Sequence, residues 1–199
     1  MRLNRLFSAA VGVFLTAIVA DASATPLNIG VGSNPLGPEY IITYNADGTF
    51  STAVNPVYAS NPGPFDGADD TYFGVVNNNT KTLLSIFLTS PLDIFGFEGD
   101  GLAAFGVPGN ANDASGYGGP VTFFQPIDIF HGTVIFGANG IAPGGTEIFS
   151  LEEAVALNTL VVQPGVPEMS TWAMMLFGFA GLAFVMRRYR DQSFAPVPA

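Results

Sequence analysis

The fold is decided by a stretch near the start of the chain, residues 40–54, which reads YIITYNADGTFSTAV. Two runs rich in Ile, Val, Phe, Tyr and Thr, Tyr40–Tyr44 and Thr49–Val54, flank the tetrapeptide Asn45-Ala46-Asp47-Gly48. Residues of these types favour strands, and Gly48 can adopt the positive φ that a tight turn needs. The stretch therefore predicts a β-hairpin.

Outward from this hairpin, residues 25–162 repeat the pattern of short apolar runs separated by turns rich in Gly, Pro and Asn. This spacing is typical of a sandwich or barrel, and eighteen phenylalanines supply bulky surface for a two-sheet core. We therefore predict an all-β, antiparallel β-sandwich of the jelly-roll or Ig-like type. Besides the hairpin, the predicted strands are Leu27–Gly32, Thr71–Asn77, Thr82–Thr89, Phe95–Phe97, Val121–Phe124, Gly132–Phe136, Thr146–Phe149 and Thr159–Val162.

Three local signals lie between or after these strands. Ser150-Leu151-Glu152-Glu153 fits a capping box, which predicts one short helix continuing to Leu157. The Asn-rich segment 77–81 predicts a turn between two strands. Residues 163–169 begin with Gln163-Pro164-Gly165, which predicts a linker after the sandwich.

The charge of the chain is unevenly distributed. The formal net charge is −10, and thirteen acidic residues share the segment 25–166 with one lysine. This segment would repel a polyanion, so we predict no binding to nucleic acid. The absence of cysteine excludes disulfides and thiolate chemistry. The six basic residues are Arg2, Arg5, Lys81, Arg187, Arg188 and Arg190.

The first 24 residues have the three parts of a secretory signal peptide. Arg2 and Arg5 form the positive start, and residues 6–20 form the apolar centre. Ala22-Ser23-Ala24 is an A-x-A cleavage site, so the mature chain is expected to begin at Thr25.

The segment after the predicted linker has the features of a single membrane-spanning helix. Residues 172–186 carry no charge, Trp172 stands at one end, and Arg187, Arg188 and Arg190 stand at the other. Trp favours the headgroup layer, and arginines extend to the interface. Under the positive-inside rule both arginine groups face the cytoplasm and the acidic middle lies outside. We predict an anchor at residues 170–190 and a tail at 191–199.

This segment resembles the PEP-CTERM sorting signal of Gram-negative bacteria, with Pro167-Glu168, a Ser-Thr-Trp-Ala start, an apolar helix and a terminal arginine cluster. The resemblance implies recognition by exosortase, a membrane-embedded cysteine peptidase, and a link to exopolysaccharide and biofilm. It also implies anchoring in the inner membrane with the ectodomain in the periplasm, then transfer to the cell surface or matrix. Met169 stands where the family has a second proline, and nine residues follow the arginines.

Two acidic, glycine-rich loops are candidates for a calcium site. Calcium requires six to eight oxygen ligands, which close carboxylates and backbone carbonyls can supply. The spacing does not match an EF-hand, and aspartates that cap turns explain the same pattern. No cofactor besides this calcium is suggested. The candidate residues are Asp66, Asp69 and Asp70 in one loop, and Glu98 and Asp100, with Asp93 nearby, in the other.

The residues needed for common enzyme chemistry are scarce. His131 is the one histidine, and no G-x-S-x-G sequence is present. A multi-histidine zinc site is impossible with one histidine. A glycosidase needs two carboxylates at a fixed separation, but any acidic sequence contains many candidate pairs, so their presence is not specific. We predict that the chain is not an enzyme.

Two functions follow from these observations. The first is an exported envelope or matrix protein with a structural or interaction role. The alternative is a carbohydrate-binding module, with or without calcium, in which tyrosines provide stacking faces. The candidate tyrosines are Tyr40, Tyr44, Tyr58, Tyr72 and Tyr117.

Overall fold

The structure is a computed structural model that describes residues 27–165, 177–182 and 186–187. Within residues 27–165 the chain forms eight strands and one 3₁₀ helix, so the prediction of a mainly β fold with two sheets is confirmed. The strands are β1 (Tyr40–Tyr44), β2 (Phe50–Val54), β3 (Thr71–Asn77), β4 (Ser85–Thr89), β5 (Thr122–Pro126), β6 (His131–Phe136), β7 (Thr146–Leu151) and β8 (Val161–Pro164).

The strands form two four-stranded sheets, with the orders β2-β1-β3-β7 and β5-β6-β4-β8. Five of the six strand pairs are antiparallel, but β1 and β3 are parallel, so the first sheet is mixed and the purely antiparallel prediction is wrong there. A parallel neighbour requires a long connection, which residues 55–70 provide. β3 lies between β1 and β7, and six of its seven residues are buried.

Pro126 and Pro164 lie in β5 and β8, the two outer strands of the second sheet. Proline lacks an amide donor, so a strand containing it is tolerated at an edge. β8 also places Gln163 and Pro164 in the sheet, and the sandwich therefore extends two residues into the predicted linker.

The main core lies between the two sheets. The rings of Phe73 on β3 and Phe149 on β7 stack at 5.4 Å, and Phe124 on β5 meets Phe149 edge-on at 6.1 Å. Ile86 and Leu88 on β4 are fully buried in the same cluster. Burial of these large apolar side chains is what stabilises the pair of sheets.

A second, smaller core covers the outer face of the first sheet. Tyr72 and Ile148 point away from the sandwich and pack with Val31, Phe65 and Leu102 from the loops. The strand predicted at Leu27–Gly32 is therefore wrong, because this segment crosses that face as a series of turns. Phe95–Phe97 is also not a strand, since Gly96 closes a turn on the Asp93 carbonyl.

The predicted hairpin turn is confirmed, whereas the predicted helix is wrong. The amide of Gly48 bonds the Asn45 carbonyl at 3.0 Å with φ +87°, which confirms the hairpin. The Asn-rich turn at 77–81 connects β3 in one sheet to β4 in the other. The helix predicted at Ser150 is wrong, because Ser150 belongs to β7 and Glu153 has φ +73°. The short helix is instead a 3₁₀ turn at Leu102–Phe105.

The predicted anchor is described only in part. Residues 177–182 and 186–187 are helical and exposed. Over the parts of the chain that are described, no helix is long and apolar enough to cross a membrane. Arg187 is among these residues, but the other predicted sorting and cleavage residues lie outside them, namely Ala22, Ala24, Pro167, Glu168, Trp172, Arg188 and Arg190.

Candidate metal centre

The register of two strands brings two buried carboxylates together. β3 and β7 pair antiparallel with Thr71 opposite Leu151. Asp70 comes directly before β3 and Glu152 directly after β7, so both lie at the same end of this strand pair. Their side chains are 1% and 7% exposed. Asp69 joins them, and one carboxylate oxygen from each of the three lies within 4.8 Å of the others.

Tyr117 lies at the centre of this group. Its segment adds beside β7, where the Ser150 amide bonds the Tyr117 carbonyl at 2.8 Å. The Tyr117 hydroxyl lies 2.5 Å from an oxygen of Glu152, 2.5 Å from Asp100 Oδ1 and 3.5 Å from Asp70 Oδ1. We call Asp69, Asp70, Asp100, Tyr117 and Glu152 the acidic cluster.

The charges in the acidic cluster disfavour one another. Burial, followed by the charges of Glu152, Asp100 and Asp66, raises the pKa of Asp70 from 3.8 to about 8. Burial also raises the pKa of Glu152. The pKa of the Tyr117 hydroxyl rises because of burial and its bonds to Asp100 and Glu152. The cluster therefore favours either bound protons or a bound cation.

The structure separates the predicted calcium residues into two groups. Asp69, Asp70 and Asp100 belong to the acidic cluster. Asp66 instead organises its own loop, since its carboxylate accepts bonds from the amides of Ala68 and Asp70, as the turn interpretation predicts. Glu98 is exposed and contributes its amide, which donates to a Glu152 oxygen at 3.1 Å.

Sequence reasoning missed the roles of Glu152 and Tyr117. Glu152 follows Ser150, and the capping-box pattern predicted a helix where a strand ends. Tyr117 was predicted as a stacking surface, but it is fully buried. Neither residue has a neighbour in sequence that indicates the contact, because Asp70 and Tyr117 are 47 residues apart.

Among the residues that the structure describes, the side chains of this site offer oxygen atoms as ligands. His131 does not belong to it, since its ring bonds Asp128 at 2.8 Å in the loop before β6. Carboxylate and phenol oxygens suit hard cations such as Ca²⁺, whereas zinc prefers nitrogen and sulfur.

A cavity of about 220 Å³ lies beside Thr71, and its lining includes the polar side chains of Glu39, Tyr40 and Asn61. Glu39 is 4% exposed, and its Oε2 has no hydrogen-bond partner. Burial raises the pKa of Glu39 to about 7, although bonds with Tyr40, Asn61 and the Tyr72 backbone oppose the shift. The Asn61 amide donates to the Tyr40 hydroxyl at 2.6 Å.

The tyrosines predicted as sugar platforms do not form an exposed surface. Tyr72 and Tyr117 are fully buried and Tyr40 is 5% exposed, so the prediction is wrong for these three. Tyr44 stacks on Phe50 at 4.9 Å, and the Tyr58 hydroxyl bonds the Gly37 carbonyl. Packing within the fold explains all five rings.

The fold and the site together define a two-sheet β protein with a group of carboxylates, two of them buried, at one end of the β3–β7 strand pair. Searches with protein-family models, among curated proteins and among solved structures give no match to this chain.

Proposed function

We propose that the chain is an exported protein of a Gram-negative cell envelope or extracellular matrix, sorted by exosortase through a PEP-CTERM signal at residues 166–190. The observation that carries this proposal is the agreement between the two ends of the sequence. Arginines at residues 2–5 and 187–190 both favour the cytoplasmic side, and the acidic segment between them favours the outside. A signal peptide ending at Ala24 and an anchor at 170–190 therefore predict the same membrane topology, with the segment between them outside.

The sandwich itself would act outside the inner membrane as a structural or interaction module, linked to exopolysaccharide or biofilm, and not as an enzyme. Two packed four-stranded sheets are an architecture of the kind that jelly-roll and Ig-like modules use. The low content of basic residues favours self-repulsion, which supports solubility in a crowded matrix.

The sorting signal can be tested in native cells by replacing Arg187, Arg188 and Arg190 with glutamate. The expected result is loss of correct anchoring, because the positive charges that fix the orientation are removed. In the wild type we expect a mature chain that begins at Thr25 and loses its C-terminal helix only when exosortase is present. Intact mass and membrane fractionation measure both.

Lys81→Glu is the matched control, since it reverses a basic residue in the exposed turn after β3. It should be sorted like the wild type. A full-length C-terminus that remains in the inner membrane with or without exosortase would contradict processing. Normal sorting of the triple-arginine variant would contradict the role of the arginines.

Carbohydrate binding is the second candidate, and the cavity beside Glu39 is the observation that favours it. Its walls combine a carboxylate, a phenol and an amide, which can bond sugar hydroxyls. At about 220 Å³ it is smaller than most pockets for drug-sized ligands, so it suits the end of one sugar unit.

We predict that Asn61→Ala weakens retention of the full chain on exopolysaccharide by roughly five- to 150-fold, because a lost hydrogen bond to a buried ligand costs about 1–3 kcal/mol. Retention on immobilised polysaccharide, with the protein in mild detergent, measures this. Asn112→Ala in an exposed loop is the control and should bind like the wild type. If the wild type binds no polysaccharide, this candidate fails and the structural role stands.

A further inference from the structure

We propose that the acidic cluster is a calcium site in which Asp70 and Glu152 are the central ligands, with Asp69 and Asp100 completing it from the exposed side. This inference does not rest on the proposed sorting or on carbohydrate binding. It places a cation at the end of the β3–β7 pair, where the loops at 66–70 and 98–101 meet.

The buried carboxylate of Asp70 has an oxygen that needs a partner. Its side chain is 1% exposed, and Oδ2 has no hydrogen-bond partner. A buried carboxylate oxygen without a partner is costly, and a hard cation would satisfy it. Because Asp70 lies within ligand distance of Asp69 and Glu152, a single ion can contact all three.

The Tyr117 hydroxyl has too few protons for the carboxylates around it. The Tyr117 hydroxyl has one proton, yet oxygens of Asp70, Asp100 and Glu152 surround it at 3.5, 2.5 and 2.5 Å. The hydroxyl can donate this proton to only one of the three carboxylates at a time. The other carboxylates need either protons of their own or a cation, and one cation can serve several of them at once.

The arrangement of the ligands bears on which cation would bind. Ca²⁺ takes six to eight oxygen ligands in flexible geometry, whereas Mg²⁺ demands a near-ideal octahedron. Asp69, Asp70 and Glu152 are close enough to share one ion, and Asp69 and Asp100 are exposed, so water can complete the shell from that side. This irregular arrangement favours calcium over magnesium.

Thermal unfolding of the full chain in mild detergent provides the first test. Calcium at 10 mM should raise the unfolding midpoint of the wild type by roughly 5–10 °C, as expected for a site with the affinity of extracellular modules. Asp70→Asn keeps the shape but removes a central ligand, so the shift should disappear. Asp47→Asn removes the same charge from the exposed β1–β2 turn and should keep the full shift.

Terbium luminescence provides a second test that does not depend on stability. Terbium occupies calcium sites and emits when a nearby tyrosine is excited, so Tyr117 should sensitise it. Calcium should displace the signal, and Tyr117→Phe should remove most of it while keeping the carboxylates. Equal shifts in wild type and Asp70→Asn would overturn the proposal. So would a shift with magnesium but none with calcium, or a terbium signal that Tyr117→Phe leaves unchanged.

Discussion

Replacing Phe149 with alanine is expected to lower the free energy of unfolding by about 3–5 kcal/mol, the largest effect of any single change predicted here. Phe149 is fully buried on β7 and lies between the sheets, stacked on Phe73 and edge-on to Phe124. Truncation removes the apolar contact of the ring and leaves a cavity that two rigid sheets cannot close.

Urea unfolding of the full chain in mild detergent, followed by circular dichroism, measures this loss. Ile127→Ala is the control, because Ile127 is 73% exposed in the loop between β5 and β6. Its effect should stay within about 0.5 kcal/mol. Similar midpoints for the two variants would mean that Phe149 does not hold the sheets together.

Between pH 4 and pH 8 the wild type is expected to lose up to about 3 kcal/mol of unfolding free energy through Glu39. Glu39→Gln should lack this loss, so its stability relative to the wild type should rise by the same amount. The pKa of Glu39 rises from 4.5 in the unfolded chain to about 7 in the folded protein. Between these values the folded state holds a proton that the unfolded state has lost. The contribution of Glu39 is therefore fully present below pH 4.5 and is lost as the pH rises through 7.

Glutamine cannot ionise, so it removes this dependence while keeping the bonds with Tyr40 and Asn61. The measurement is the free energy of unfolding of both proteins at several pH values, and their difference cancels every other titrating group. Glu98→Gln removes the same charge from an exposed position and should follow the wild type within about 0.5 kcal/mol. If the difference in unfolding free energy between Glu39→Gln and the wild type did not change with pH, the raised pKa of Glu39 would be contradicted.

Local sequence predicts much of this fold where a strand and its turn are neighbours. Tyr40–Tyr44 and Thr71–Asn77 are confirmed to the residue, and six other strands are displaced by one to three residues. The hairpin at Gly48 depends on one turn, whose chemistry is visible in the sequence. The parallel pairing of β1 with β3 is not visible, because the local pattern shows neither which strand of the hairpin β3 joins nor in which direction it runs.

The acidic cluster was predictable only in part for the same reason. Asp69, Asp70 and Asp100 stand in the acidic, glycine-rich loops that the sequence offers as candidates for a calcium site. Glu152 enters through the β3–β7 register, and Tyr117 enters through a segment that adds beside β7. Both contacts are between residues far apart in sequence, and the local pattern at Ser150 favoured a helix that tertiary packing overrides.

The prolines at the outer strands of the second sheet have a consequence for self-association. Pro126 and Pro164 each remove an amide that a strand from another copy would need for pairing. Fibre growth by edge-to-edge stacking is therefore disfavoured at both sides of this sheet. Folded copies are expected to remain separate units even at high concentration.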